Sequence, residues 1–398
     1  MTFINRMSRS LKPSETLAIK ARAAELKAQG RTVIDLSAGE PDFDTPEFIK
    51  QGAREALQQG KTRYTSAAGI IELRQAIAEK LRAENGLDNA EAGSIIVTNG
   101  GKQALHEFFA VVIEPGDEVI IPAPYWVSYP AMVEIPGGKV VVAKTGPETG
   151  YKISAAQLSA LISKRTKCVI INSPSNPTGA GYSAAEMREL GKVIAETQAL
   201  VCSDEVYEKI TYSGFEFVSF AKAVPELSER TLTVGAFSKT YSMTGWRVGY
   251  ASGPAPIISA MVNFQSQTTS NINSIAQYAA LAALRGPQDF LPPVVAAFER
   301  RMEQALEVLQ DTPGLYVAVR PVGAFYLFVR FERLKAALAR RHISGSAGLV
   351  NYLLDTAGVA VVPGEAFGDD EAFRVSLACS DQAVQEGLLK IREAVQKL

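Results

Sequence analysis

The sequence predicts an α/β fold with a mostly parallel central sheet flanked by helices, plus a smaller α+β lobe. Three observations carry this expectation. From Ser94 onward, short β-branched runs alternate with helical patterns, the order required by a parallel sheet covered by helices. The 398 residues, 47% of them hydrophobic, can bury a large core and exceed the usual size of one domain. After about residue 290 the texture changes to a long charged helix followed by strand-like runs.

The elements follow in order. Ser14 precedes an amphipathic helical run ended by Gly30, and Thr45 with Pro46 opens a second ended by Gly60, matching the residues favoured at helix starts and stops. Strands are predicted over 94–98, 118–121, 168–171, 200–202 and 231–234, with a helix over 184–197 among them. A charged helix over 298–310 then leads to strands over 315–319, 325–329 and 359–362. We expect a large domain over 46–290 and a small domain made of 1–45 and 291–398. No repeat or low-complexity linker separates them, so the lobes should pack together.

Charge and cysteine usage exclude several classes. The 41 basic and 42 acidic residues are interleaved and give a formal net charge of −1, so no long-range field recruits nucleic acid or an anionic membrane. The three cysteines are odd in number and widely spaced, and Cys168 and Cys202 lie in apolar runs, which fits reduced thiols and a cytoplasmic location. The first ten residues lack an apolar core of signal-peptide length, and no stretch approaches a membrane span of ~20 apolar residues.

In open α/β sheets, ligands sit at the carboxyl ends of strands, so the residues there matter most. Asn99-Gly100-Gly101-Lys102-Gln103 follows the first strand and enters a helix, either as a phosphate cradle or as a tight turn. It is not a P-loop, because the first glycine of that spacing is absent and Gln103 stands where a hydroxyl would hold magnesium. The only histidines, His106 and His342, are too few and isolated for a typical histidine-built metal site. Asn176, in the turn-rich stretch after the third strand, either projects an amide into a cleft or simply belongs to a loop. Asp204 ends the strand at 200–202 and is either a buried carboxylate needing a cation or a helix cap. Lys239 follows the strand at 231–234, with Arg247 eight positions on. Desolvation and a neighbouring cation would free its amine as a nucleophile, whereas an ordinary lysine would be a solvated surface charge.

Six motifs, taken together and in order, carry a resemblance over essentially the whole chain. They are Ser37-Ala38-Gly39-Glu40-Pro41-Asp42-Phe43, Pro124-Tyr125-Trp126-Val127-Ser128-Tyr129, Asn176-Pro177-Thr178-Gly179, Ser203-Asp204-Glu205-Val206-Tyr207, Ser238-Lys239 through Gly245-Trp246-Arg247, and Phe373-Arg374-Val375-Ser376. The chain resembles the class I aminotransferases of the fold type I pyridoxal-phosphate superfamily, and within it the bacterial aspartate/prephenate aminotransferase subgroup. The resemblance implies a cofactor, pyridoxal 5′-phosphate, carried on Lys239 as a Schiff base, with the same amine later shuttling a proton. It implies that Asp204 pairs with the protonated pyridine nitrogen, that Asn176 and Tyr207 bind the ring's phenolic oxygen, and that Trp126 stacks on the ring. Gly101, Lys102, Ser238 and Arg247 would hold the phosphate, with Tyr64 reaching across from a second subunit of a homodimer. Arg374 would grip the substrate α-carboxylate as a planar two-pronged donor, in a pocket that Gly39, Trp126 and Asn176 complete.

Two positions depart from the pattern or leave it open. Ala236 stands where well-studied aspartate aminotransferases have a serine, so phosphate binding must lean on Ser238 and the loop after Thr98. No arginine near 270–274 matches the one that those enzymes use for the distal carboxylate. In the bacterial subgroup that role falls to the position of Lys102, with Lys12 at a position associated with prephenate use. The expected activity is ping-pong transfer of an amino group from L-aspartate or glutamate to a 2-oxo acid such as 2-oxoglutarate, and possibly to prephenate. The alternatives are transamination of alanine or aromatic substrates, a pyridoxal-phosphate carbon-sulfur β-lyase releasing pyruvate and ammonia without an oxo acid, and a non-catalytic regulator or scaffold that would not retain the cofactor.

Overall fold

The computed structural model of the protein describes residues 3–11 and 15–398. In chain order the strands are β1 (Ile34–Asp35), β2 (Ile95–Thr98), β3 (Glu118–Ala123), β4 (Lys139–Lys144), β5 (Thr166–Asn172), β6 (Leu200–Asp204), β7 (Thr231–Ala236) and β8 (Gly249–Ser252). They continue as β9 (Tyr316–Val317), β10 (Tyr326–Arg330), β11 (Val359–Ala360), β12 (Val362–Pro363) and β13 (Ala372–Ser376).

Seven strands form one sheet in the order β2-β8-β7-β6-β5-β3-β4, parallel throughout except for β8, which runs antiparallel to β2 and β7. Its central strands are apolar on both faces, as a sheet covered by helices requires. Val119, Ile121, Cys168 and Ile170 pack on one side, while Ile120, Val169 and Ile171 pack on the other. The helices that close these faces include Gly101–Val112, Ala184–Ala195 and Ala255–Thr268. Ser183 caps the second of them, accepting from the Glu186 N–H at 3.3 Å while the Glu186 carboxylate accepts from the Ser183 N–H at 2.8 Å.

The second sheet is antiparallel, in the order β12-β13-β10-β9, and β1 pairs in parallel with β11. Aromatic residues fill its core, with Phe298, Phe325 and Phe373 at or below 1% exposure. Arg301, on the helix Leu291–Gln310, forms ion pairs with Asp42 at 2.8 Å and Asp381 at 2.7 Å. It therefore ties the loop after β1 to the start of the C-terminal helix Asp381–Gln396.

Several expected elements differ in extent. The run predicted over 359–362 divides into β11 and β12, because its two halves find partners in different sheets. The strand predicted over 315–319 shortens to Tyr316–Val317, the only two residues there that pair with β10. The helix predicted over 298–310 begins at Leu291, since Pro292 and Pro293 occupy its first turn, where a missing N–H breaks no bond. β4 and β8 were not expected. The first is an edge strand flanked by lysines, and the second reads Gly-Tyr-Ala-Ser with no β-branched residue. Ser14, expected to cap the first long helix, lies outside the described residues; that helix runs over Glu15–Ala28. Among the described residues, no helix is long and apolar enough to cross a membrane.

Candidate active site

A cavity of about 390 Å³ opens where β5, β6 and β7 end. It meets the helix start at Gly101, the loop Ser37–Glu40 after β1, and Arg374 and Tyr326 from the antiparallel sheet. Among the described residues, Lys20, Lys102, Lys239, Arg247 and Arg374 line it against two carboxylates, Glu40 and Asp204. Such a lining suits a ligand with several negative charges and one positive centre.

Lys239 sits on the short helix Phe237–Thr240, which continues directly from β7. Its Nζ donates to the Gly39 carbonyl and lies 5.9 Å from the centre of the Phe325 ring. Burial, followed by the charges of Arg374 and Arg247, brings its ammonium down to about 8, with Glu40 and Asp204 opposing. A substantial fraction of an amine so placed is neutral near physiological pH, which is what attack on a carbonyl needs.

Asp204 closes β6 and is 6% exposed. Its oxygens accept from the Tyr129 hydroxyl at 2.6 Å and from the Val206 N–H at 3.3 Å. Burial pushes its carboxyl above the ordinary value, and these two donors and Lys239 only partly offset that. Tyr207 is also buried, and its hydroxyl shares a 2.9 Å hydrogen bond with that of Tyr326.

Arg374 is 3% exposed on β13. It donates to Asn176 Oδ1 at 3.0 Å and to the Ser37 carbonyl at 2.8 Å, and its guanidinium lies 4.3 Å from the Tyr326 ring centre. Its Nε is buried without a hydrogen-bond partner. Among the described residues no carboxylate forms an ion pair with it, and burial holds it below its ordinary pKa.

The opposite end of the cavity is a helix start. Gly101 begins the helix Gly101–Val112, whose first N–H groups have no intrahelical partner. Arg247, with φ +57°, lays its guanidinium beside this turn and donates to the Thr244 carbonyl at 2.9 Å and the Asn99 carbonyl at 3.3 Å. A Cβ on Gly100 would come within 2.5 Å of Arg247 Nη2, and one on Gly249 within 2.4 Å of the Gly101 nitrogen. Glycines are therefore what let the arginine and the turn converge. Ser238 is buried at the same wall. Lys102 is exposed over Trp126, 5.0 Å from its ring centre, while Trp126 meets Tyr129 edge-on at 5.3 Å.

Of the residues expected at the site, Gly39, Gly101, Lys102, Trp126, Asn176, Asp204, Tyr207, Ser238, Lys239, Arg247 and Arg374 line this one cavity. Tyr64 does not, being 91% exposed on the surface of this chain. Lys12 lies outside the described residues. Ala236, where a serine was the expected pattern, lines the cavity without offering a donor. Sequence reasoning missed Tyr129, Tyr326, Glu40 and Lys20. Tyr129 stood in a quoted motif, and its position 75 residues from Asp204 gave no local signal of their contact.

The aminotransferase class I and II family profile matches residues 31–391. The chain belongs to the class I and II aminotransferases. It is 46% identical over 395 residues to an aspartate/prephenate aminotransferase of Cereibacter sphaeroides, covering 98% of each chain. It also superposes on the aspartate aminotransferase of Rhizobium meliloti with a TM-score of 0.93 and 43% identity, over 100% of both chains. The Thermus thermophilus aspartate aminotransferase with maleate gives a TM-score of 0.92 at 42% identity, over 99% of this chain and 100% of that one. The fold is thus fold type I, and this aminotransferase depends on pyridoxal 5′-phosphate.

The cavity of this aminotransferase fits that cofactor on its own chemistry. A buried carboxylate touched only by neutral donors suits a protonated ring nitrogen. A helix start beside Arg247 suits a phosphate, and Lys239, with its lowered pKa, lines the same cavity. The unpartnered Nε of Arg374 suits a carboxylate.

Proposed function

We propose that this aminotransferase takes its amino group from L-aspartate or L-glutamate and gives it to a 2-oxo acid such as 2-oxoglutarate, with prephenate as a further acceptor. The observation that carries this reading is the cavity's charge: Arg374, Lys102 and Lys20 line it together with Lys239, enough cations for a substrate with two carboxylates. Relatives bearing the name aspartate/prephenate aminotransferase, and a relative's structure with maleate, support the same choice.

The chemistry that pyridoxal phosphate supplies when bound is an electron sink for the pair left at the substrate Cα. Lys239 would hold the cofactor through its Nζ, and the same amine would move the proton at the substrate Cα. Asp204 would pair with the protonated ring nitrogen, and Tyr129 orients it through the 2.6 Å hydrogen bond. Asn176 and Tyr207 would hold the ring oxygen, and Trp126 would cover a ring face. The backbone N–H groups at Gly101 and Lys102, with Ser238 and Arg247, would bind the phosphate. Arg374 binds the α-carboxylate, with Gly39, Trp126 and Asn176 beside it, and so fixes which Cα bond stands ready to break. Lys102 meets the distal carboxylate with help from Lys12.

We read 46–290 as the large domain and 1–45 with 291–398 as the small one, the cavity lying between them. Exposure of Tyr64 at 91% supports a homodimer in which it completes the neighbouring phosphate site. Free, buried Cys168 and Cys202 support a cytoplasmic enzyme.

The test is a half-reaction. Purified enzyme loaded with pyridoxal phosphate is mixed with L-aspartate alone, and its absorbance should convert to that of pyridoxamine phosphate. An unchanged spectrum excludes aspartate as donor. Reoxidation by 2-oxoglutarate, prephenate, pyruvate and phenylpyruvate then ranks the acceptors.

A further inference from the structure

The segment that ends β6 has two faces. Asp204 and Tyr207 face the cavity, whereas Glu205 and Glu208 turn away from it, into a polar cluster that the reading above leaves unused. Lys80, on the helix Ile71–Asn85, forms an ion pair with Glu208 in which the side chains are only 8% and 11% exposed. The Lys80 ammonium also donates to Asn85 Oδ1 at 2.8 Å. The Asn85 amide donates in turn to Glu208 at 2.6 Å and to Glu205 at 3.4 Å. Glu205 is 3% exposed and accepts from the Ser203 hydroxyl at 2.8 Å, the Ser219 hydroxyl at 2.7 Å and the Phe220 N–H at 3.2 Å.

We propose that Lys80, Asn85, Glu205 and Glu208 form a buried positioning network that holds Asp204 and Tyr207 in register with the cofactor ring. The inference rests on the reading of Asp204 and Tyr207 as ring contacts. Buried ion pairs add little net stability compared with apolar side chains of the same volume, so one placed directly behind two ring contacts is better explained by the geometry it imposes. Burial and the neighbouring Glu208 push the Glu205 carboxyl up to about 7, against the opposing pull of Ser219, Ser203 and Lys80. The same pair reaches the second half of the site, since Lys80 and Glu208 line a small gap with Ala236, Phe237 and Thr240 beneath the lysine-bearing helix.

The test uses loaded enzyme and three variants. Glu208→Gln keeps the shape and removes the charge opposite Lys80, the double variant Lys80→Met/Glu208→Gln removes both charges, and Asn85→Ala cuts the link between the carboxylates. Cofactor dissociation constants come from absorbance titration, and the pH midpoint of the bound cofactor's absorbance is read separately. We expect each folded variant to weaken cofactor binding about tenfold and to shift that midpoint, with kcat falling and the donor KM within about twofold. A double variant with the parent's thermal midpoint, dissociation constant and absorbance midpoint overturns the proposal. Asp204→Asn is the control. If it changes neither cofactor readout, the ring-contact reading itself fails; if it changes both while the folded variants change neither, only the network is refuted.

Discussion

Lys239 and Arg374 illustrate how burial changes a side chain's chemistry. Lys239 has an ordinary value of 10.5 lowered to about 8, so between those values the folded protein holds fewer protons than the unfolded chain. Stability of the cofactor-free protein should therefore rise as pH goes from about 8 to 10.5, and Lys239→Met should flatten that slope in urea unfolding series. Lys239→Arg keeps the charge but not the nucleophile, and should lower kcat by roughly 10²- to 10⁴-fold, measured in steady state with aspartate and 2-oxoglutarate. Arg374→Lys loses the planar fork, and should reduce kcat/KM for every amino donor by roughly 10- to 100-fold irrespective of the donor's side chain. A loss confined to dicarboxylic donors would instead place Arg374 at the distal carboxylate.

Elements bring these residues to one place, and glycine decides how closely they can meet. Gly249 on β8 faces the Gly100-Gly101 turn, where an added Cβ would lie 2.4 Å from a backbone nitrogen that cannot move freely. Gly249→Ala should lower the thermal midpoint and weaken cofactor retention together, as read by melting and by absorbance after dialysis. Ser183→Ala is the contrasting case. It removes the cap of a helix remote from the cavity, and should cost about 1 kcal/mol in unfolding free energy while kcat and KM stay at the parent's values.

At the scale of the whole molecule, Arg301 joins the loop after β1, which carries Gly39, to the C-terminal helix through Asp42 and Asp381. Its side chain is 6% exposed, whereas those carboxylates are 24% and 39% exposed and keep some water. Arg301→Met should destabilise the protein by roughly 2 to 4 kcal/mol in urea unfolding. The proposed homodimer is tested at this scale as well. With Tyr64 exposed on one chain, activity should fall with dilution in step with dissociation measured by sedimentation, and Tyr64→Phe should weaken cofactor binding in the intact dimer.

Local pattern was enough to read β2, β3, β5, β6 and β7, because their apolar residues face helices on both sides and form continuous runs, whereas the edge strand β4 is largely exposed and was not expected. The ordered set of motifs singled out Lys239, Asp204 and Arg374, and the fold brings these three to one cavity. β8 and the division between β11 and β12 could not be read this way, because pairing with distant partners places them and Gly-Tyr-Ala-Ser carries no strand signal. The same holds for Tyr129 against Asp204, Tyr326 against Tyr207, and the Lys80 network. Hydrogen bonds between residues 75, 119 and 128 positions apart depend on how sheets and helices pack, a long-range property to which a local window of sequence is blind.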